Sequence, residues 1–181
     1  NFPHTPGIDA SGEVVESSDS RFKEGDFVIV SGYNLGMDTS GGFGQYIRVP
    51  ADWIEPLPEG LTIKEAAIYG VAGFTAALSV DALQKHGIGP EDGEVVVTGS
   101  TGGVGSVSVA LLSHLGYNVV ASTGKKEERE FLSGIGASQI IGREEVNDES
   151  NKPLLSERWA GAIDSVGGTT LATLLKAVKR G

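Results

Sequence analysis

The stretch Val95-Val96-Val97-Thr98-Gly99-Ser100-Thr101-Gly102-Gly103-Val104-Gly105 limits the possible folds of this chain more than any other part of it. A β-branched run leads into glycines spaced G-x-x-G-x-x-G. A helical pattern follows, with Val104, Val107, Leu111 and Leu115 at helical spacing and Gly116 as its stop. The segment reads as strand, turn, helix. Small residues at such a turn let the backbone approach a pyrophosphate, and the amides and dipole of the helix start attract its charge. Gly105 permits close packing of helix on strand. Position 100 is Ser, so the spacing departs from the strict G-x-G-x-x-G form. The plain alternative is a glycine turn in some other doubly wound fold.

The second half of the chain supports the dinucleotide-binding reading. Strands are predicted at Glu94–Thr98, Asn118–Ser122, Gln139–Ile141 and 161–164, and helices at 103–115, 125–132 and 169–179. Their alternation implies βαβ units and a parallel sheet. The polar segment 146–153 reads as a surface loop. The first half instead shows short strands broken by Gly, Pro and Asp, at 11–16, 26–31, 44–50 and 52–57, as in a small antiparallel barrel or sandwich. Tyr33 to Phe43 reads as a loop. Thr62 with Glu65 forms a capping box that opens a helix, and a second helix runs from about Phe74 to Lys85 and ends at Gly87. Four sheet strands are fewer than the six of a complete dinucleotide fold. We therefore expect a part of a longer protein.

Composition narrows the partners. A net charge of −10 opposes phosphodiester backbones and anionic lipid, so neither nucleic acid nor a membrane surface is the expected partner. Cysteine is absent, which removes disulfides, thiolate nucleophiles and Cys-ligated zinc. No apolar run reads as a span of roughly 20 residues, and no signal peptide is visible. A soluble cytoplasmic protein acting on a small-molecule substrate is expected.

The cofactor type is read after the second strand. An NAD site places a carboxylate on the ribose 2′-OH about 20 residues beyond the glycine loop. Here the strand runs into Ser122-Thr123-Gly124-Lys125-Lys126, with no carboxylate before Glu127. Hydroxyl and ammonium groups suit a 2′-phosphate. Arg143, beyond the third strand, is a second cation for it. Two lysines at a helix start are unfavourable unless an anion compensates them. NADP(H) is therefore expected over NAD.

Together these features resemble the medium-chain dehydrogenase/reductase superfamily. Pro6-Gly7-Ile8-Asp9-Ala10-Ser11-Gly12, Gly42-Phe43-Gly44-Gln45-Tyr46, Ala72-Gly73-Phe74-Thr75-Ala76, the glycine loop and Trp159-Ala160-Gly161-Ala162-Ile163-Asp164-Ser165-Val166-Gly167 carry the likeness along the whole chain. The last of these, the Ile-Asp-x-x-Gly segment and the 72–76 junction point to its zinc-free quinone oxidoreductases, among them the NADPH-dependent acrylyl-CoA reductases. The resemblance implies an α/β chain in which part of a GroES-like β-barrel (catalytic) domain, 1–70, is followed by a junction helix, 71–93. Part of a Rossmann-type doubly wound parallel sheet, 94–181, completes it. It implies hydride transfer from NADPH to an activated double bond, of acrylyl-CoA or quinone type. A non-catalytic NADPH-binding protein like certain lens crystallins and a metal-free alcohol dehydrogenase relative remain alternatives.

Residue by residue, the resemblance carries pyrophosphate contacts onto Thr101, Gly102, Gly103 and Val104. It carries 2′-phosphate contacts onto Thr123, Gly124, Lys125 and Arg143. Asp9 falls near the nicotinamide and substrate, or else is a structural carboxylate bonding backbone amides. Thr75 approaches the nicotinamide or caps a helix start. Tyr33 to Phe43 is the expected flexible rim of the substrate site. No metal is expected: Ile8 stands where zinc members carry a His ligand. His4, His86 and His114 are dispersed, and the latter two suit capping or solvated roles at helix ends. A homodimer is implied by the resemblance alone.

Overall fold

The structure is a computed structural model and describes residues 3–150 and 152–179. The chain forms two compact units, Asn1–Val71 and Ala72–Gly181.

In the first unit, β1 (Asp9–Glu13), β2 (Phe27–Ser31) and β3 (Ile54–Pro56) form an antiparallel sheet in that order. Asp9 is paired with Ser31, and Val30 with Ile54. The glycines of the 41–43 segment let it lie against 5–7, with Gly41, Gly42 and Phe43 amides donating to Thr5, Gly7 and Pro6 carbonyls. The strand expected at 44–50 is absent. Its Tyr46-Ile47-Arg48-Val49 alternation suits a pleated ladder, but among the described residues the segment has no strand to pair with. It stands away from β1, and a cavity of about 870 Å³ lies between them. The strand predicted at 11–16 instead runs from Asp9 to Glu13, and just beyond it the Val14 amide donates to the Asp26 carbonyl while the Val14 carbonyl accepts the Gly25 amide. Residues 33–43 form a loop, but a wound one: the Asn34 carbonyl accepts from the Met37, Asp38 and Thr39 amides, and Leu35 is buried.

Two helices are found where two are expected, joined across Gly70 without an intervening loop into the run α1 (Ile63–Lys85). Thr62 and Glu65 form the predicted capping box, Glu65 accepting from the Thr62 amide at 2.8 Å and Thr62 Oγ1 from the Glu65 amide at 3.2 Å. Gly70 breaks the helical backbone at φ 46°, ψ −151°. By length and composition alone α1 could cross a membrane, contrary to the expectation that no segment reaches that size. The Gly70 kink limits it, since Val71 to Lys85 extends only roughly 22 Å at 1.5 Å per residue, short of the roughly 30 Å hydrocarbon layer.

In the second unit, β4 (Glu94–Thr98), β5 (Asn118–Ser122), β6 (Gln139–Ile141) and β7 (Gly161–Ile163) form a parallel sheet ordered β6-β5-β4-β7. This is the 3-2-1-4 beginning of the dinucleotide-binding order. Val95, Val96 and Val97 are all fully buried, as expected for a central strand covered on both faces. Side chains alternate between faces. Val95, Val97, Val119 and Ala121 meet Val109 and Leu112 of α2 (Gly103–His114) and Leu132 of α3 (Arg129–Gly134). Val96, Val120 and Ile141 meet Trp159 and Leu174, the latter on α4 (Gly168–Ala177).

The 146–150 part of the polar loop is fastened to α4. Thr170 Oγ1 donates to Asn147 Oδ1 at 2.9 Å, and Lys176 Nζ lies 3.1 Å from Asp148 Oδ2. The Ser150 hydrogen bonds, then Lys176, hold the Asp148 carboxyl at about 2, below its usual 3.8. A depressed carboxyl stabilises the fold above its unfolded value, and that contribution disappears as pH falls from about 4 towards 2. Asp148→Asn should therefore flatten the acid limb of a stability–pH curve across that window. An unchanged limb in thermal denaturation would show that the clasp carries no linkage.

Candidate cofactor site

The glycine loop joins β4 to α2 as the sequence implies. Gly99 has φ +59°, a conformation that costs L side chains energy. Ser100 is buried and its Oγ donates to the Ser122 carbonyl at 2.6 Å, tying the loop to the neighbouring strand. A Cβ at Gly105 would collide with the Gly99 carbonyl oxygen and lie 2.7 Å from Ser100 Cα, so only glycine lets α2 sit this close to the loop. Gly102 is the N-cap of α2 and supplies no side-chain cap. The first amides of the helix, from Gly103, Val104 and Gly105, have no partner within the helix. Gly102 and Gly103 are exposed, and Thr101 and Val104 partly so. The donor set and the bare backbone fit a phosphate.

The parallel register brings the second cluster together. Ser122 is paired with Ile141, so the residues after β5 and after β6 emerge side by side. The Thr123 amide donates to the Ile141 carbonyl at 3.1 Å, and Thr123 Oγ1 accepts from the Lys125 amide at 3.1 Å. Arg143 lies over Gly124: a Cβ there would stand 2.5 Å from Nε and 2.8 Å from Cζ of the guanidinium. Lys125 and Arg143 are exposed, and among the described residues neither is in an ion pair. Lys125 is the N-cap of a 3-10 turn, Lys126–Glu128, that leads directly into α3 at Arg129, so the helical segment expected from Lys125 is present with its first turn wound as 3-10.

Asp9 is found at the start of β1. Its Oδ1 accepts the Val71 amide at 2.9 Å, the first amide after the Gly70 break, and a Cβ at Gly70 would meet the carboxylate at 2.8 Å. The carboxylate thus holds a turn that only glycine can make. Thr75 lies inside α1 and opens no helix, which corrects the capping alternative. His86 Nδ1 donates to the Ala82 carbonyl at 2.8 Å at the end of α1, and His114 is an exposed residue ending α2. His4 Nε2 contacts the Gly36 carbonyl at 2.8 Å. Among the described residues no three His, Cys, Asp or Glu side chains converge as metal ligands.

One polar group at the end of the sheet was not singled out by its sequence pattern. Asp164, directly after β7, accepts Thr98 Oγ1 at 2.5 Å and the Gly167 amide at 2.8 Å. Its place in the 159–167 motif was the available signal.

The family model for the alcohol dehydrogenase GroES-like domain matches residues 1–59. The chain is 51% identical over 180 residues to acrylyl-CoA reductase AcuI of Ruegeria pomeroyi, covering 99% of this chain and 54% of that protein. The structure of Bacillus subtilis protein YhfP with NAD bound superposes with TM-score 0.94 at 51% identity, over 99% of this chain and 54% of that one. The YhdH oxidoreductase of Salmonella enterica in complex with NADP superposes with TM-score 0.93 at 47% identity, over 98% and 54% respectively. The chain thus spans about half the length of the relatives it matches. With a GroES-like segment, a sheet in dinucleotide-binding order and this degree of identity, the chain belongs to the medium-chain dehydrogenase/reductase superfamily, in its quinone oxidoreductase and acrylyl-CoA reductase group.

Proposed function

We propose that this chain is part of an NADPH-dependent oxidoreductase that delivers hydride to an activated carbon–carbon double bond or a quinone, without zinc. The uncapped, side-chain-free start of α2 at the end of a central parallel strand carries the reading. Relatives solved with NAD or NADP bound support it.

In this reading, residues 1–70 belong to the catalytic barrel domain, 71–93 join the domains, and 94–181 belong to the cofactor domain. Thr101, Gly102, Gly103 and Val104 hold the pyrophosphate by backbone amides. Thr123, Gly124, Lys125 and Arg143 hold the 2′-phosphate, which selects NADPH. The bound nicotinamide supplies the hydride, so no protein nucleophile is needed. The chain's own task is to bind, orient and keep the reacting end in place. Asp9 serves the reacting end as a positioning group, through the Gly70–Val71 turn it fixes. We further propose a cytoplasmic homodimer.

Two observations on the purified full-length protein test this. NADPH should be oxidised with acrylyl-CoA or a benzoquinone as acceptor, whereas simple alcohols should not reduce NADP. Bound cofactor without turnover of any acceptor would favour a non-catalytic role. Elemental analysis should find no stoichiometric zinc, and a chelator should leave the rate unchanged. Activity lost to the chelator and restored by zinc would overturn the metal-free assignment.

A further inference from the structure

In the order β6-β5-β4-β7, the helix after β4 and the helix after β7 pack on opposite faces of the sheet. The crevice of a doubly wound sheet opens where the connections diverge in this way, outside the carboxyl ends of the two strands. Here those ends are Thr98 and Ile163, with Asp164 directly after the latter. The proposed 2′-phosphate cluster lies beyond β5 and β6, and the pyrophosphate loop follows β4. The remaining half of an extended dinucleotide then runs towards the end of β7.

That end is cross-tied. Thr98 Oγ1 donates to Asp164 Oδ1 at 2.5 Å, and Ser165 Oγ donates to the Thr98 carbonyl at 3.1 Å. The Asp164 carboxylate also takes the Gly167 amide at 2.8 Å and the Val166 amide at 3.4 Å. Gly167 has φ 76°, and Gly99, whose φ is +59°, has room for no Cβ because Ser165 Oγ would be 2.5 Å away. The 165–167 backbone is therefore held at the end of β4 by the Asp164 carboxylate together with the Ser165 hydroxyl, while Val166 remains exposed.

Resting on the cofactor reading above, we infer that Asp164 is a positioning residue for the nicotinamide half of the cofactor. By tying the Thr98 hydroxyl to the amides of Val166 and Gly167, it fixes the 165–167 backbone as the crevice wall on the β7 side. It plays no part at the adenosine half.

The test separates the two halves of the ligand. Full-length wild type, Asp164→Ala, Asp164→Asn and Thr98→Val are titrated with NADPH and with adenosine 2′,5′-bisphosphate, which has no nicotinamide. Having to order the freed 165–167 backbone on binding predicts that Asp164→Ala weakens NADPH about tenfold and leaves the bisphosphate within about twofold. Asp164→Asn, which still offers an oxygen to the Gly167 amide, should recover most of the loss. NADPH affinity unchanged in Asp164→Ala, or lost equally for both ligands, overturns the inference. If Asp164→Ala does not fold, Thr98→Val distinguishes the same outcomes by the same pair of titrations. Failure of wild type to bind NADPH would instead remove the cofactor reading on which the inference rests.

Discussion

Gly102→Val should leave the fold intact and remove most of the affinity for NADPH. Gly102 has φ −83° and ψ 171°, which any residue adopts, and a Cβ there would have only the Gly99 carbonyl nearby, at 3.2 Å. The valine methyls would then occupy the space in front of the free amides of α2. Charge-assisted hydrogen bonds contribute about 1.5–3 kcal/mol each, so blocking two costs at least about a hundredfold in Kd. Calorimetric titration measures this directly, with melting temperature as the control for folding. Gly105→Val makes the contrast. Its side chain collides with backbone of the loop, so stability and binding should fall together. An unchanged Kd in Gly102→Val would place the cofactor elsewhere.

Lys125→Ala and Arg143→Ala should each raise the KM for NADPH by about an order of magnitude, with little change for NADH. Only NADPH has the 2′-phosphate to which these cations can donate. Arg143 is already seated on Gly124, so its guanidinium needs little reorganisation to accept an anion or to stack on a flat ring. Gly124→Val should reproduce the Arg143 loss by pushing the guanidinium off its seat. Glu127, Glu128, Glu144 and Glu145 are close by in sequence and the chain carries net charge −10, so attraction must come from contact rather than from a basic field. The penalty should shrink as salt rises, because the pair is exposed. Equal effects on NADPH and NADH would contradict the assignment.

The sheet was legible because its signals are local. Three consecutive valines buried on both faces, glycines at the turn and a stop at Gly116 need no distant partner to be read. The face of α2 was read one position out. The expected stripe was Val104, Val107, Leu111 and Leu115, yet the buried residues are Gly105, Ser108, Val109 and Leu112. Close approach to the sheet selects small side chains, which hydrophobic spacing overlooks. The strand at 44–50 failed for the opposite reason: its alternation is genuine, but a strand also requires a neighbour. The two helices of α1 are legible, but the place of their break is not: it falls at Gly70, where the Asp9 carboxylate, 61 residues earlier in the sequence, accepts the Val71 amide. At the candidate site, Gly124 and Arg143 are brought together by strand register, which the sequence could suggest only through resemblance. Asp164 escaped notice because a carboxylate ending a strand has no distinctive spacing.

Hydride delivery from NADPH is decided by isotope transfer. NADPH carrying deuterium at C4 of the nicotinamide, prepared separately with the label on each face, is incubated with full-length protein and acrylyl-CoA or a benzoquinone. We expect acrylyl-CoA to yield a saturated thioester with one deuterium on the carbon β to the carbonyl, from one of the two labelled cofactors and not from the other. Oxidation of neither cofactor form with either acceptor, or a reduced thioester free of deuterium from both, would contradict hydride delivery by this protein.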